Sequence, residues 1–440
     1  DTDNETARLP SFSVATIPTV SVRAALTMRL DSDAFGDLVV VAESCPEPIV
    51  LTAKAGEIVV VDSTSDSVDG VTTSISDLNG NPGADGVISL REAITAANNT
   101  AGADTVNFNI PVDTDPGCDV VSGVCTIQPS GLGLPTIIQP ITIDGTSQPT
   151  FTTTPVIEID GSLASTDAVG FAISAGNSTI RGFAINSFLT NSDIVMWGSG
   201  NNVIEGNFLG VDPSGTSNRT TTNSVHVYAI ANNTIGGTTT AARNVISGNT
   251  NPAIALNAGA SNNFVQGNFL GTDLTGTVAL GNSGNDIVTL DSPNNTIGGT
   301  AAGAGNLIAG NLDPDYASVG IGFPASTGNL VQGNFVGTDI TGTIALGGAS
   351  IAVYIAEGSS NTIGGTIPGA ANLISGGGSS GVGIASASGN FVQGNLIGTQ
   401  ADGVTPLANG SHGVLIYSGA ANNTVGGRTA GAGNTIAFKR

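Results

Sequence analysis

Apolar residues in this chain arrive in bursts of two or three, separated on a schedule by small and polar residues. The clearest burst is a recurring phrase, Asn-Asn-x-Ile/Val, with apolar anchors at Ile180, Ile204, Ile235, Val265, Ile297, Val331, Ile363, Val392 and Val425. Steps between anchors run from 24 residues (Ile180 to Ile204) to 34 (Ile297 to Val331). Such a period marks a solenoid or a propeller. Each repeat holds two further bursts. One is an alternating strand such as Ile254-Ala-Leu256, Ile351-Ala-Val353 or Val414-Leu-Ile416. The other switches coil by coil between Asn-x-Ile (at Asn244, Asn306 and Asn372) and Phe-Leu-Gly-Thr-Asp.

No window after Asn99 carries a 3.6-residue period over ten residues, which excludes helical repeats, and a propeller blade needs a fourth strand. Three short strands per turn, joined by Gly and Asn corners, predict an all-β fold, a parallel β-helix with a period of about 30 residues. Both corner residues tolerate the left-handed backbone that such bends need. Asn recurring at one corner predicts an amide ladder, each side chain bonding the coils above and below. Phe208, Phe269, Phe335 and Leu396 share one position in the repeat and are expected to stack inside the rod. A dozen coils at ~4.8 Å per coil would make a rod of roughly 60 Å.

The N-terminal part reads differently. Phe12, Val14, Val20, Val22, Leu26, Met28 and Leu30 share one parity of an alternating pattern, so Phe12 to Leu30 reads as a long half-buried strand. It either covers a flank of its own solenoid or pairs with a neighbouring subunit by strand donation. Ser89-Leu-Arg-Glu92 is a capping box ahead of an amphipathic helix over 89–99, with Leu90, Ile94 and Ala97 on one face. A lone helix there is expected to cap the first coil. The chain thus divides into an extension (1–56), a cap (57–104) and the β-helix (105–440), whose repeats are clearest from 170.

Composition narrows function more than it names it. A net charge of −23 argues against nucleic acid and anionic membranes as partners, and no apolar run of about 18 residues predicts a membrane span. The start at Asp1 without Met reads as an exported precursor that has lost its signal, which places the protein outside the cell or on its surface. Cys118 and Cys125 bracket a short loop that a disulfide can close, and Cys45 is left over.

Candidate chemistry is sparse. Asp77, Asn79, Asn81 and Asp85 put oxygen ligands on alternate residues, as calcium loops do, but without the glycine and the twelfth-position carboxylate of an EF-hand; a solvated turn is the competing reading. Asp212, Asp273 and Asp339 recur at equivalent turns and read as turn chemistry. Residues unique to one coil are His226 with Tyr228, Asp286 with Asp291, Asp313 with Asp315, and Glu357. Asp313 and Asp315, flanking a proline, make a weak hydrolase pair. No nucleophile elbow, phosphate loop or zinc spacing is present.

Val87-Ile-Ser-Leu-Arg-Glu-Ala-Ile94, followed by Ala96-Ala-Asn98, resembles the CSLREA motif of secreted bacterial proteins, with Ile88 where the family name has Cys. The repeats after Asn177, and Ile141-Thr-Ile-Asp-Gly-Thr-Ser-Gln-Pro149, are similar to the pectin-lyase-like superfamily. That resemblance implies a right-handed parallel β-helix and leaves activity open, because the superfamily holds lyases, hydrolases, adhesins and phage spikes. The expectation is therefore a non-catalytic extracellular rod that associates with itself end to end. A carbohydrate-active enzyme or glycan-binding adhesin, with a polysaccharide as partner and calcium as a candidate cofactor, is the alternative.

Overall fold

The computed structural model describes residues 22–28, 37–42, 49–51, 55–311 and 313–437. From Ile58 onward the chain winds as a right-handed parallel β-helix whose coils contribute to three long sheets of twelve, eleven and nine strands. The twelve-stranded sheet starts at Ile58–Val61 and contains every Asn-Asn-x-Ile burst. The eleven-stranded sheet takes the last burst of each repeat, down to two-residue strands such as Phe208–Leu209 and Val245–Ile246. The nine-stranded sheet takes the alternating strands, from Phe171–Ile173 to His412–Tyr417. Registers stack like on like: Ile180 sits between Ile143 and Ile204, and Ile235 sits between Ile204 and Val265. The core is a narrow column of these fully buried Ile, Val and Leu side chains.

Both corners flanking the twelve-stranded sheet carry a column of inward Asn side chains. At the first, Asn201, Asn232, Asn262, Asn294 and Asn422 take the left-handed backbone with φ between 55 and 63°. The residue after each then turns its amide into the rod. Asn202, Asn233, Asn263, Asn295, Asn329, Asn361, Asn390 and Asn423 form a ladder in which each backbone N–H donates to the next Oδ1. The second corner carries a second ladder, Asn207, Asn244, Asn268, Asn306, Asn334, Asn372, Asn395 and Asn434, and in every other coil a left-handed Gly (Gly206, Gly267, Gly333, Gly394) precedes its Asn. The Asn pairs thus divide the work, one residue bending the chain and the other satisfying buried backbone groups that a coil leaves open.

The Phe column lies elsewhere than expected. In Phe208–Leu209 and its equivalents it is the second residue, Leu209, Leu270, Val336 or Ile397, that is fully buried in the core. Phe208 points outward, because side chains alternate across a strand, and packs with Ala184, Val211 and Val245 under a hairpin loop. These loops repeat every second coil and join their successors, Leu274 N–H donating to Gly215 O and Ile340 N–H to Gly276 O, each at 2.9–3.0 Å. Gly215 and Gly276 hold φ of 65° and 68° against the Phe208 and Phe269 rings, so a side chain there would be both strained and obstructed.

Helix α2, Leu90–Asn99, forms as its capping box predicts, and buries Leu90, Ala93, Ile94 and Ala97 on the first coil. Glu92 is almost fully buried. Besides closing the box on Ser89 N–H it accepts from Asp69 N–H and Gly70 N–H, both at 2.8 Å. Arg91 pairs with Asp66 at 2.8 Å and donates to Gly133 O at 2.8 Å, tying cap to coil. A short helix α1, Ile75–Gly80, precedes it within the acidic stretch.

In the extension, Val22–Met28 pairs antiparallel with Asp37–Ala42, which pairs in turn with Ile49–Leu51. One edge of the strand carrying Val22, Leu26 and Met28 is therefore occupied by its own neighbour in sequence, since a short connection favours an antiparallel partner. Phe12, Val14, Val20, Leu30 and Cys45 lie outside the described residues.

Candidate functional site

The outward residues of the first twelve-sheet strands place charge in a column. Asp144, Arg181 and Glu205 end consecutive strands in register. Arg181 Nη2 meets Asp144 Oδ2 at 2.5 Å, and Nη1 lies 4.0 Å from Glu205 Oε1. Opposite charges on adjoining rungs face each other by virtue of register alone. The next rung has Gly236 in this column, so the wall opens there.

Arg181 and Glu205 of this column floor a groove of about 630 Å³, with Thr146 beside them. Phe151 and Thr152–Thr154 wall one side, Thr239–Arg243 the other, and Phe208, Val245 and Leu274 lie between. Arg243 crosses the Phe269 ring with its guanidinium carbon 4.0 Å from the centroid, and its Nε donates to Gly267 O at 3.2 Å. Among the described residues it meets no carboxylate at ion-pair distance. Burial lowers its pKa. The groove is thus amphipathic, with two cations, of which Arg181 keeps a buried Nε without a partner.

Acid strength decides what the groove can do. Burial opposes the charged form of Asp144, yet its bonds to Arg181 and Thr146 prevail and hold the carboxyl below the ordinary range. Its partner Arg181 is raised, first by that same hydrogen bond. The pair therefore stays ionised, and Asp144 holds no proton to donate at neutral pH. The carboxyls with raised pKa are elsewhere. Burial lifts Asp193 well up and Asp286 to about 7, against the pull of hydrogen bonds from Thr221, and from Asn282, Asn311 and Ser318 respectively. Both sit at the start of nine-sheet strands, Asp193 within Ser192–Met196 and Asp286 just before Ile287–Leu290, at 0% exposure and with one oxygen each unpartnered.

The sequence-derived candidates fall apart in space. Asp77 and Asn79 are on α1 and Asn81 caps it. Asp77 accepts from Thr73 and Ser74 hydroxyls at 2.7 Å, Asn79 donates to Ile58 O at 3.0 Å, and Asp85 accepts from Val87 N–H at 3.1 Å. Among the described residues no three His, Cys, Asp or Glu side chains gather as a metal site. Asp313 accepts from Asp315 N–H at 2.9 Å, a turn bond rather than a pair of facing carboxyls. Asp286 is inside the rod and Asp291 outside it. Asp273 and Asp339 close their hairpins on Thr277, Val278, Thr343 and Ile344 N–H groups. The Cys118 and Cys125 sulfurs are bonded. Sequence reasoning missed the Asp144–Arg181–Glu205 column; aligning the Ile143, Ile180 and Ile204 anchors would have placed all three at the following position.

No protein-family model and no curated protein sequence matches this chain. Among solved structures it is similar to a point mutant of the periplasmic alginate epimerase AlgG, at 14% identity and a TM-score of 0.35 over 71% of each chain. It is also similar to a PL6 family polysaccharide lyase from Pseudopedobacter saltans, at 10% identity and a TM-score of 0.27 over 72% of this chain and 88% of that one. At these scores neither likeness bears on activity.

Proposed function

We propose that the chain is a non-catalytic extracellular rod, a structural or surface protein built to present its sides. One observation carries this reading: the carboxyls whose pKa burial raises, Asp193 and Asp286, are sealed in the core, while Asp144, beside the groove, is held ionised by Arg181, which lines it. General acid–base catalysis needs both properties in one group. Fourteen of the buried polar side chains are instead spent on the two amide ladders.

Self-association is part of the proposal. Helix α2 occupies the core end on which a preceding copy would stack, which disfavours coil-on-coil contact there and points to strand-edge pairing. Val22–Met28 bonds along one edge only among the described residues, and an open edge is a template for a second chain. The CSLREA-like cap and secretion belong to the same reading. Electron microscopy and light scattering over a concentration series test it: assemblies should form, and shift when Leu26→Pro breaks the edge. Monodisperse short rods at every concentration would remove self-association from the account.

The groove favours a second reading. Its two arginines and apolar walls suit a polysaccharide, held or cleaved. Sugar release lost on Glu205→Gln would establish cleavage.

A further inference from the structure

The chain has one tryptophan, four tyrosines and two histidines. All seven lie on, or at the margin of, the nine-stranded sheet. His226 and Tyr228 are on Asn223–Tyr228, Tyr354 is on Ile351–Ala356, and His412 and Tyr417 are on His412–Tyr417. Trp197 follows Ser192–Met196 and Tyr316 precedes Ala317–Gly322. The other two sheets have none of these residue types, although they hold twenty-three of the strands (12 + 11). The segregation is independent of the groove, which lies on the other two sheets.

The rings are presented, not buried. Trp197, Tyr228, Tyr316 and Tyr417 are all more than a third exposed. Met196 pairs with Val227, so Trp197 and Tyr228 sit on adjoining coils. The His226 ring stacks on Tyr228 with centroids 3.9 Å apart, and its Nε2 lies 2.7 Å from Asn257 Nδ2 on the next coil. Tyr354 leans over Gly383, where a Cβ would meet its ring at 3.2 Å, and its hydroxyl lies 3.4 Å from that of Tyr417. Seven coil steps separate Trp197 from Tyr417, about 34 Å at ~4.8 Å per coil.

Charge selects the occupant. Asp193, the one Asp, Glu, Lys or Arg on these nine strands, is fully buried, and Asp291 and Glu357 come after the strand ends. Burial drops His226 to about 4, so its ring is neutral at neutral pH. An aromatic strip with only His412 among its exposed ionisable side chains besides the tyrosines, and with Glu357 close enough to act on Tyr354 from its margin, repels polyanions on a protein of net charge −23. Rings with an apolar face and a polar rim suit a ligand whose rings have C–H faces and hydroxyl edges. The coil rise is also comparable with that of one sugar in an extended chain.

We propose that the outer face of the nine-stranded sheet, with Trp197, Tyr228 and Tyr354 as stacking platforms, binds an uncharged polysaccharide laid along the rod axis. The proposal requires neither self-association nor absence of catalysis.

Trp197, as the single tryptophan, reports on the face directly. Its fluorescence would be titrated with hydroxyethyl cellulose, galactomannan, amylose and dextran, and with polygalacturonate as the charged probe, at low and high salt. A saturable change with at least one neutral polymer, unaffected by salt, is expected. Tyr228→Ala and Tyr354→Ala should each weaken it tenfold or more with unchanged far-UV circular dichroism, while Tyr228→Phe, which keeps the ring, should bind within threefold of the parent. Silence towards all four neutral polymers overturns the proposal. So does a response confined to polygalacturonate that fades with salt, or a glycan-independent change that follows protein concentration, which would make the occupant a second copy.

Discussion

Asn268 lies mid-ladder at the second corner, fully buried. Its Oδ1 accepts from Asn244 N–H at 3.3 Å and Asn244 Nδ2 at 2.9 Å. Its Nδ2 donates to Ile235 O at 2.9 Å and Asn306 Oδ1 at 3.1 Å. Asn268→Ala strips the acceptor from two buried donors of Asn244. The acceptors suffer less, because Asn306 Oδ1 still receives Asn268 N–H at 3.0 Å. At about 1–3 kcal/mol per orphaned buried donor, the loss comes to about 2–6 kcal/mol. Exposed Thr300→Ala, on the same rod, should stay within about 0.5 kcal/mol. Because solenoids open locally, hydrogen exchange read by mass spectrometry is the sharper assay, with urea unfolding alongside. Protection should fall first around Asn244, Phe269 and Leu307, the rungs that share the broken link. A further arm uses Asn268→Asp, which keeps the acceptor but sets carboxylate oxygens against Ile235 O and Asn306 Oδ1; its stability should recover as the pH falls and the acid regains a donor. A loss under about 0.5 kcal/mol for Asn268→Ala, or exchange that rises evenly along the chain, would refute the idea that the ladder holds the coils together.

Further outcomes follow from the same geometry. Asp286 titrates at about 7 in the fold against an ordinary 3.8, so the folded state binds the proton more tightly. Its stabilising contribution is whole below pH 3.8 and lost as pH rises to about 7, on the order of 4 kcal/mol at most. Asp286→Asn should therefore melt progressively above the parent between pH 5 and 8, and parallel melting curves would contradict this. Reducing Cys118–Cys125, separated by seven residues, should cost about 2.5 kcal/mol, with exchange rising near 117–126 and not along the repeats. Arg181→Met frees Asp144 to regain an ordinary acid strength. Being part exposed, the lost pairing should cost about 1 kcal/mol, seen as a small drop in melting temperature that high salt reduces.

Much of the rod could be read from sequence because its rules are local. Asn232 and Asn233 announce a corner, Ser89 and Glu92 a helix start, and Asp273 a hairpin, each through bonds to its own neighbourhood. The facing of a two-residue strand is not local. Phe208 and Leu209 are both apolar, and only the hairpin loop folded over the outer surface decides that Phe208 lies outside. Asp193 and Asp286 looked like other scattered acids; their burial depends on which corner of the coil they reach. The groove and the aromatic face arise from register between coils, so Arg181 meets Asp144 across 37 residues of sequence. The periodic table of anchors contained that information, but only once it was laid out coil on coil.

The proposed reading is a rod that turns over no glycan, with the Asp144–Arg181 pair beside its groove held ionised. The direct measurement is product formation: purified protein incubated for long periods with polygalacturonate, alginate and the neutral polymers, with and without calcium, followed by ultraviolet absorbance for unsaturated uronides and a reducing-end assay. The account predicts no product above the buffer blank across pH 4 to 9. Steady product formation that disappears in Glu205→Gln or Arg181→Met would contradict it.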